Sequence, residues 1–261
     1  MYKYILLEIK ERVAVLTLNR PEAGNAFARE SYSEICDAID ECTANDIVGS
    51  IVLTGAGKNF CAGGDLKRFK TLIESGEYIG VDGILSAGEM VLAIRKCPKP
   101  VIAMVNGAAV GAGCSLALSC DFRFVSPNSR LMMSFIKLGL SGDTGGMFFL
   151  QRLVGTAKTL ELMMLGETLY GEDAVRYGLA SRCIESDSFE KETMEFAAKM
   201  AEGPLFGFAR QKQLLMKYFY GGFSEYAKDE AESMSSCSRT ADFAEAVDAF
   251  LEKRSPVFIG K

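Results

Sequence analysis

The sequence predicts an α/β protein, and two features of its pattern carry that prediction. Short apolar runs are followed by glycine-rich turns and then by helical spacing, and this order recurs through the first half of the chain. Recurring strand, turn and helix favour a layered α/β core over an all-helical one. After about Gly155 only helical patterns follow, which predicts a helical C-terminal part.

The N-terminal half divides into elements at its apolar runs and its breakers. The apolar runs on either side of Glu11-Arg12 predict a hairpin. Pro98 and Pro100 end the predicted helix Ile84–Arg95. The segment Lys70–Gly83 is polar and contains glycines, and we expect it to be mobile. In chain order the predicted elements are strands Ile5–Ile9 and Val13–Leu18, helix Arg29–Cys42, strand Ser50–Thr54, helix Ile84–Arg95, strand Val101–Val105, helix Gly113–Leu118 and strand Phe122–Val125.

The C-terminal part shows apolar residues at helical spacing and no low-complexity linker before it. Because it has no obvious core of its own, we expect it to pack on the first part or on a partner subunit. The predicted helices are Leu160–Leu165, Gly171–Tyr177, Phe189–Ala201, Leu205–Tyr218 and Phe223–Leu251.

Composition narrows the classes of function. The 261 residues carry a formal net charge of −5 and no dense Lys/Arg tract, so a basic nucleic-acid surface is not expected. The N-terminal residues resemble a strand and not a signal peptide, and no apolar run is long enough to cross a bilayer, which predicts a cytoplasmic protein without a membrane partner. Eight cysteines form no C-x-x-C pair and there is no histidine, so we expect buried thiols and no metal site.

Three segments of small residues are the most informative part of the chain. They are Cys61-Ala-Gly-Gly-Asp65, Asn106-Gly-Ala-Ala-Val-Gly-Ala-Gly113 and Leu140-Ser-Gly-Asp-Thr-Gly-Gly146. Glycine and alanine let another molecule approach backbone N–H groups, so the N–H groups of Gly64 and Ala112 are candidates to stabilise a developing oxyanion. Ala112 begins a predicted helix, whose dipole adds to that effect. The alternative is that these glycines serve only tight turns and close packing.

The third segment places one carboxylate, Asp143, among glycines. In a chain without histidine, acid–base chemistry must use carboxylates, Tyr, Lys or Cys, which makes Asp143 a candidate acid or base. An apolar pocket would raise its pKa toward a useful range. The alternative is that Asp143 caps the helix that follows it, since Asp is a favoured N-cap residue.

Together these segments resemble the crotonase (enoyl-CoA hydratase/isomerase) superfamily. The matching motifs are F-C-A-G-G-D-L, N-G-x-A-x-G-A-G and K-L-G-L-x-x-D-x-G-G, with Asn19-Arg-Pro21, Asn25-Ala26 and the ending from Phe250 to Lys261 in support. The resemblance covers essentially the whole chain. It implies a crotonase-like ββα spiral core over residues 1–195 and a helical trimerisation region over residues 196–261.

The resemblance also implies an acyl-CoA substrate, with no other cofactor, and a homotrimer or a dimer of trimers. It implies an oxyanion hole made by Gly64 and Ala112, and it places Phe250 and Lys253 on the CoA of a neighbouring subunit. The implied CoA contacts within the subunit are Pro21, Ala23, Asn25, Ala26, Ala62, Asp65 and Leu66. The residues expected to line the acyl pocket are Phe69, Leu72, Ile84, Ser115, Met132, Phe135, Leu140 and Phe148.

The chain departs from the family pattern at two positions. Hydratases of the family carry glutamates where this sequence has Ser115 and Phe135. Addition of water needs carboxylates to hold that water, so a simple hydratase is disfavoured. The remaining Asp143 resembles the single acid of the 1,2-epoxyphenylacetyl-CoA isomerase and Δ3,Δ2-enoyl-CoA isomerase branch. One acid suffices there, because the oxyanion hole holds an enolate between two proton transfers.

Other readings remain open at this point. A hydratase with an altered acid set would recruit Asp82 or Glu89 from the helix that borders the pocket in this family. An aryl-CoA dehalogenase would use Asp143 as nucleophile, but it would also need a histidine and a tryptophan, and this sequence has neither. An inactive acyl-CoA-binding scaffold is the alternative from a different class, since a fold does not guarantee a function.

Overall fold

A six-stranded sheet lies at the centre of the computed structural model, which describes residues 2–261. A second sheet of three short strands accompanies it. The strands in chain order are β1 (Ile5–Lys10), β2 (Val13–Leu18), β3 (Ser50–Gly55), β4 (Val101–Val105), β5 (Ala108–Val110), β6 (Phe122–Val125), β7 (Arg130–Met132), β8 (Thr168–Tyr170) and β9 (Arg182–Cys183).

The large sheet has the strand order β1-β2-β3-β4-β6-β9. Its first pair is an antiparallel hairpin with Ile5 opposite Leu18, and all its other pairs are parallel. The small sheet has the order β5-β7-β8. Since β4 leads into β5 through Asn106 and Gly107 alone, the two sheets follow one another directly in the chain.

Helices connect and cover these strands. Two short 3-10 helices, Pro21–Ala23 and Ser134–Leu138, lie in the connections. The α-helices in chain order are α1 (Ser31–Ala44), α2 (Leu66–Glu74), α3 (Val81–Lys96), α4 (Ala112–Ser119), α5 (Gly146–Leu165), α6 (Gly171–Arg176), α7 (Phe189–Ala201), α8 (Leu205–Phe219), α9 (Phe223–Cys237) and α10 (Ala241–Leu251).

Both faces of the central strands are buried, as is usual for parallel strands. Along β3, Ile51 and Leu53 point into the main core, whereas Val52 between them joins a smaller cluster on the opposite face with Phe189 and Ala197 of α7. This alternation follows the two-residue period of a strand. The sheet therefore holds the ends of β3 and β4 rigidly, and the glycine segments begin close to those ends.

Most predicted elements are confirmed, and four match to the residue: Val13–Leu18, Val101–Val105, Phe122–Val125 and Phe189–Ala201. The prediction of a single helix over Phe223–Leu251 is wrong, because one helix ends at Cys237 and a second begins at Ala241. There Thr240 Oγ1 accepts a hydrogen bond of 3.1 Å from the N–H of Phe243 and caps a new helix. Apolar periodicity continues across this break, so spacing alone did not reveal it.

Two further regions differ from expectation. The predicted helix Leu160–Leu165 is the end of a longer one, α5, which is interrupted at Gly155 with a φ of 75°. Part of Lys70–Gly83, expected to be mobile, lies in α2 and α3, and Ile79 between them is buried. The N–H of Ile79 donates to Ser238 Oγ at 3.0 Å, which anchors the segment to the end of α9.

The domain boundary predicted at residues 195/196 falls within α7, which packs against β2, β3 and β4, and it stays a prediction. All eight cysteines are unpaired and five of them are buried. No helix within residues 2–261 combines the length and the hydropathy that a bilayer crossing requires.

Candidate active site

A cavity of about 730 Å3 lies where the glycine segments meet. All three segments contribute to its wall, through Gly64, Ala112 and Asp143 among others. Its size is in the range usual for small-molecule and cofactor sites. The three motifs singled out in the sequence therefore converge on one place.

Backbone pairing brings the first two segments together. The N–H of Cys61 donates to the carbonyl of Ala108 and the N–H of Val110 donates to the carbonyl of Cys61, each at 2.9 Å. This bridge lies next to the end of β5 and sets the two loops side by side. It explains why strand-like residues precede both glycine segments.

Close approach of these loops requires glycine. Gly63 has a φ of 85°, and a side chain there would lie 2.5 Å from the carbonyl oxygen of Val110. A side chain at Gly113 would collide with the carbonyl of Cys61. The expectation that these glycines serve packing is thus met, and it is compatible with exposed N–H groups. Within residues 2–261 the N–H groups of Gly64 and Ala112 donate to no protein acceptor.

Asp143 lies in the wall of the cavity and is 9% exposed. It does not cap the following helix: the N-cap residue of α5 is Gly145, and no side chain caps that helix. Its carboxylate Oδ1 instead accepts a hydrogen bond of 2.7 Å from Thr144 Oγ1. Burial raises the pKa of Asp143 to about 6, against the opposing effects of the Thr144 hydrogen bond and the charge of Arg68.

The turn that carries Asp143 has an unusual backbone. Thr144 and Gly145 both have positive φ values, 58° and 68°. For a β-branched residue this conformation costs on the order of 1–3 kcal/mol, so surrounding contacts must impose it. Strain of this kind is typical of functional sites.

A buried glutamate that the sequence reasoning missed imposes this turn. Glu230 on α9 accepts a hydrogen bond from the N–H of Gly145 through Oε2 and another from the hydroxyl of Tyr226 through Oε1, each at 2.8 Å. Burial raises the pKa of Glu230 to about 7; the Gly145 N–H opposes this rise, and the nearby charge of Asp143 adds to it. Residue 230 lies 87 positions after Asp143 in an ordinary-looking helix, so no local signal marks it.

The charge of the cavity wall is mostly positive. Asp65 caps α2 through the N–H of Lys67 and pairs with Arg20 at 3.0 Å, so its charge is already engaged. Five cationic side chains but only three carboxylates line the cavity within the described residues. They are Arg20, Arg29, Lys67, Arg68 and Lys137 against Glu22, Asp65 and Asp143.

Most of the residues expected at the site line this cavity. Tyr32, Arg68 and Met234 line it as well, although the sequence reasoning did not select them. The expected residues found in the wall are Ala23, Ala26, Ala62, Gly64, Asp65, Leu66, Phe69, Ile84, Ala112, Met132, Phe135, Leu140, Asp143 and Phe250.

Several expected residues lie outside the wall. Asn25 is buried and holds the loop, since its side-chain amide donates to the carbonyls of Ala56 and Asn59. Ser115 is fully buried behind the turn, with Oγ 3.4 Å from the carbonyl oxygen of Asp143. The others outside the wall are Pro21, Leu72, Phe148 and Lys253.

Packing explains why Phe148 lies outside the cavity wall, and Asp82 and Glu89 lie outside it as well. Phe148 packs into an aromatic cluster with Phe223 and Tyr226, and the guanidinium of Arg152 lies 3.4 Å from its ring centroid. Asp82 and Glu89 are exposed on α3 and do not reach the cavity. The helix face that borders the cavity carries apolar Ile84 instead.

The end of α10 lies against the cavity of its own chain. Lys70 Nζ on α2 pairs with Asp248 Oδ1 on α10 at 2.7 Å, which holds the two helices together. Phe250 and Leu251 thereby line the cavity rim. Phe250 thus borders the cavity of its own chain, and its implied contact with the CoA of a neighbouring subunit stays a prediction.

Sequence comparison agrees with this arrangement. The profile of the family described as Enoyl-CoA hydratase/isomerase matches residues 8–261. The chain belongs to the enoyl-CoA hydratase/isomerase family. Within residues 2–261 no group of three or more His, Cys, Asp or Glu side chains is placed to hold a metal ion.

Relatives of this chain carry names of different activities. The chain is 34% identical to the trans-2-decenoyl-(acyl-carrier-protein) isomerase of Streptococcus mutans, over 100% of this chain and 99% of that protein. It is also 34% identical to the 1,2-epoxyphenylacetyl-CoA isomerase of Escherichia coli, over 100% of both. The crotonyl-CoA hydratase of Syntrophomonas wolfei is 33% identical, over 100% of this chain and 99% of that protein.

Solved structures of the enoyl-CoA hydratase/isomerase family share the fold. An enoyl-CoA hydratase from Mycobacterium avium subsp. paratuberculosis superposes with a TM-score of 0.89 at 28% identity, over 98% of this chain and 99% of that one. An enoyl-CoA hydratase/isomerase from Pseudoalteromonas atlantica gives 0.87 at 30% identity, over 98% and 100%. The expected α/β crotonase fold with its helical C-terminal region is therefore confirmed.

Proposed function

We propose that this chain is an acyl-CoA isomerase that moves a double bond or ring bond of its thioester substrate, with Asp143 as the shuttle for a single proton. The observation that carries the proposal is the inventory of carboxylates in the cavity wall. Glu22 is exposed and Asp65 is engaged by Arg20, which leaves Asp143 as the buried acid available for chemistry. Two of the family members most similar in sequence are named isomerases.

The reaction proceeds in two proton transfers. The Asp143 carboxylate removes a proton from carbon 2 of a 3-enoyl thioester, and the electron pair moves into the carbonyl to form an enolate. The N–H groups of Gly64 and Ala112 donate to that oxyanion. Protonated Asp143 then returns its proton to carbon 4, which leaves the 2-enoyl isomer. A carboxylate with a pKa of about 6 suits both transfers near neutral pH.

The excess of positive charge around the cavity supports an anionic carrier. Phosphate groups prefer Arg and Lys partners, and Arg29, Lys67 and Lys137 lie in the wall. Ala23 and Ala62 offer small side chains in the same wall. We therefore assign the CoA to the side of the cavity formed by residues 20–29, 62–67 and 137.

Isomerisation is preferred to hydration because the second acid is missing. Hydratases of this family use two glutamates, at positions occupied here by Ser115 and Phe135. Neither side chain carries a charge, and the reserve acids Asp82 and Glu89 are exposed outside the cavity. Among residues 2–261 the other wall carboxylates are Glu22, which is exposed, and Asp65, which pairs with Arg20.

The test compares the isomerase activity and the acyl-CoA binding of wild type and Asp143→Asn. We expect the wild type to convert 3-octenoyl-CoA to 2-octenoyl-CoA. In Asp143→Asn, kcat should fall by about 10^2- to 10^4-fold while acyl-CoA binding persists. Asp82→Asn is the matched control, since Asp82 is exposed on α3 outside the cavity and its substitution should keep the wild-type rate. Hydration without isomerisation, or full activity in Asp143→Asn, would refute the proposal.

We also propose assembly into a homotrimer or a dimer of trimers. Helix α8 has no buried residue in the single chain, although Phe206, Leu214, Leu215 and Phe219 on it are exposed. An apolar surface of that kind marks an interaction site. Light scattering of the purified protein tests this, and a monomer at micromolar concentration would contradict it.

A further inference from the structure

Tyr32 is a polar group that the reaction described above does not use. It is the second residue of α1, is 7% exposed and lies in the cavity wall. Its ring packs against Phe27 with centroids 5.2 Å apart, which fixes the direction of the side chain. A rigid tyrosine thus contributes to the wall.

The Tyr32 hydroxyl lacks a partner in the protein. Within residues 2–261 it makes no hydrogen bond, and it is not among the fully enclosed polar atoms that lack one. Because the residue is buried except where it meets the cavity, the hydroxyl opens onto the cavity. Buried hydroxyls are ordinarily hydrogen-bonded, so an unpaired one facing a binding site calls for a ligand atom.

The surroundings of Tyr32 indicate the chemistry of that atom. Arg68 and Asp143 line the same cavity as Tyr32; the charge of Asp143 reinforces the effect of burial in raising the pKa of the phenol, and the charge of Arg68 opposes it. Arg68 lines the cavity and has no carboxylate partner within 4.0 Å among the described residues. Two donors without acceptors therefore share this region, and Asp143 is the acceptor reserved for the proton.

Much of the remaining cavity wall is apolar. Ile79, Ile84, Val110, Leu140 and Met234 lie in the wall and offer no hydrogen bond from their side chains. A plain alkyl chain bound here would cover the Tyr32 hydroxyl without pairing it, and a covered unpaired donor is costly. An oxygen on the acyl group would pair it.

We propose that Tyr32 donates a hydrogen bond to an oxygen atom of the acyl group, so that the enzyme prefers acyl-CoA thioesters carrying a keto, hydroxyl or cyclic ether oxygen beyond carbon 3. This inference rests on the proposed function for the location of the acyl group. It assigns Tyr32 a role in specificity, and Asp143 keeps its role in proton transfer.

The experiment measures binding of saturated probes, which needs no turnover. Octanoyl-CoA is compared by calorimetry with its 4-oxo, 5-oxo and 6-oxo derivatives, in wild type and in Tyr32→Phe. We expect at least one oxo derivative to bind about 3- to 10-fold tighter than octanoyl-CoA to the wild type, the usual net value of one hydrogen bond. Tyr32→Phe should abolish that ratio and leave octanoyl-CoA binding as tight or tighter.

Controls separate this inference from folding and from the proposed activity. Tyr177→Phe removes a hydroxyl from a partly buried tyrosine outside the cavity and should keep the wild-type ratio. Equal binding of all four probes to the wild type, or an oxo preference that survives in Tyr32→Phe, would overturn the inference. A preserved ratio with no isomerisation of 3-octenoyl-CoA would refute the proposed function alone.

Discussion

The two sides of the cavity are built by different means. On one side, the N–H groups of Gly64 and Ala112 belong to loops that a backbone bridge at Cys61 holds together. On the other side, Asp143 depends on a strained turn that a distant glutamate, Glu230, keeps in place. The first side is specified by local sequence and the second by tertiary packing, so the two should fail differently when changed.

After the loss expected for Asp143→Asn, the largest effect comes from removing a main-chain donor. Ala112 is the first residue of α4, a position at which proline fits a helix. Ala112→Pro deletes the N–H and should lower kcat by about 10^2- to 10^3-fold, the usual consequence of losing one oxyanion donor. Steady-state isomerase kinetics measure this.

Ala112→Gly is the control for that prediction, because it retains the N–H and should keep most of the activity. Circular dichroism and the thermal midpoint establish that Ala112→Pro is folded. If the folded proline variant retained wild-type kcat, Ala112 would not serve as a donor.

The acid side should leave a signature in stability against pH. The folded pKa of Asp143, about 6, lies above the usual value of 3.8, so the folded protein binds this proton more tightly than the unfolded chain. The free energy of unfolding therefore falls as pH rises from about 4 to about 6. The difference in the free energy of unfolding between Asp143→Asn and wild type should therefore be more favourable to the variant at pH 8 than at pH 4, by on the order of 2–3 kcal/mol.

Urea unfolding of both proteins at the two pH values tests this expectation. Asp82→Asn on the exposed face of α3 is the matched control and should show no such gain. A constant difference between Asp143→Asn and wild type would mean that burial does not disfavour the Asp143 charge.

The next effect concerns the residue that positions the turn. Glu230→Met leaves the N–H of Gly145 and the hydroxyl of Tyr226 without an acceptor. We expect kcat to fall about tenfold with little change in KM, because Asp143 is displaced while the CoA side of the cavity is intact. Glu230→Gln keeps an acceptor for Gly145 and should restore most of the rate.

A purely structural role for Glu230 would give a different pattern. The thermal midpoint would then fall in both variants, and kcat per folded molecule would stay at the wild-type value. Equal losses of kcat in Glu230→Gln and Glu230→Met would also contradict positioning through the accepted hydrogen bond.

The smallest effect is a shift of the pH profile. The hydroxyl of Thr144 stabilises the ionised form of Asp143, so Thr144→Ala should raise the pKa of that carboxyl. Since the ionised form starts the proposed reaction, the acidic limb of kcat/KM should move to higher pH. Thr144→Ser retains the hydroxyl and should leave the limb in place, and an unshifted limb in Thr144→Ala would contradict this.

This contrast also explains how far the sequence could predict the site. Gly64 and Ala112 stand in short motifs whose composition reflects local backbone needs, so they could be selected by inspection. Glu230 could not, because its importance arises only when α9 packs beside a turn from the middle of the chain. Phe148 was expected in the pocket, but it packs against the aromatic residues Phe223 and Tyr226 of α9.

The fold shows the same division. Strands such as Val101–Val105 were predictable because an apolar run between breakers has one simple solution. The three-residue strands of the small sheet carry no such run, since pairing with distant partners creates them. The break between α9 and α10 was not predicted from the sequence, because apolar spacing continues through it. Only the Thr240 cap marks it.

The position of Phe250 and Leu251 at the cavity rim bears on the number of active sites in an assembly. The proposed donors Gly64 and Ala112, the proposed acid Asp143 and this rim belong to one polypeptide, so under the proposed mechanism each subunit of an assembly would carry its own reacting groups. In a mixture of wild-type and Asp143→Asn subunits, turnover should then scale linearly with the wild-type fraction, and each chain should titrate with one equivalent of acyl-CoA.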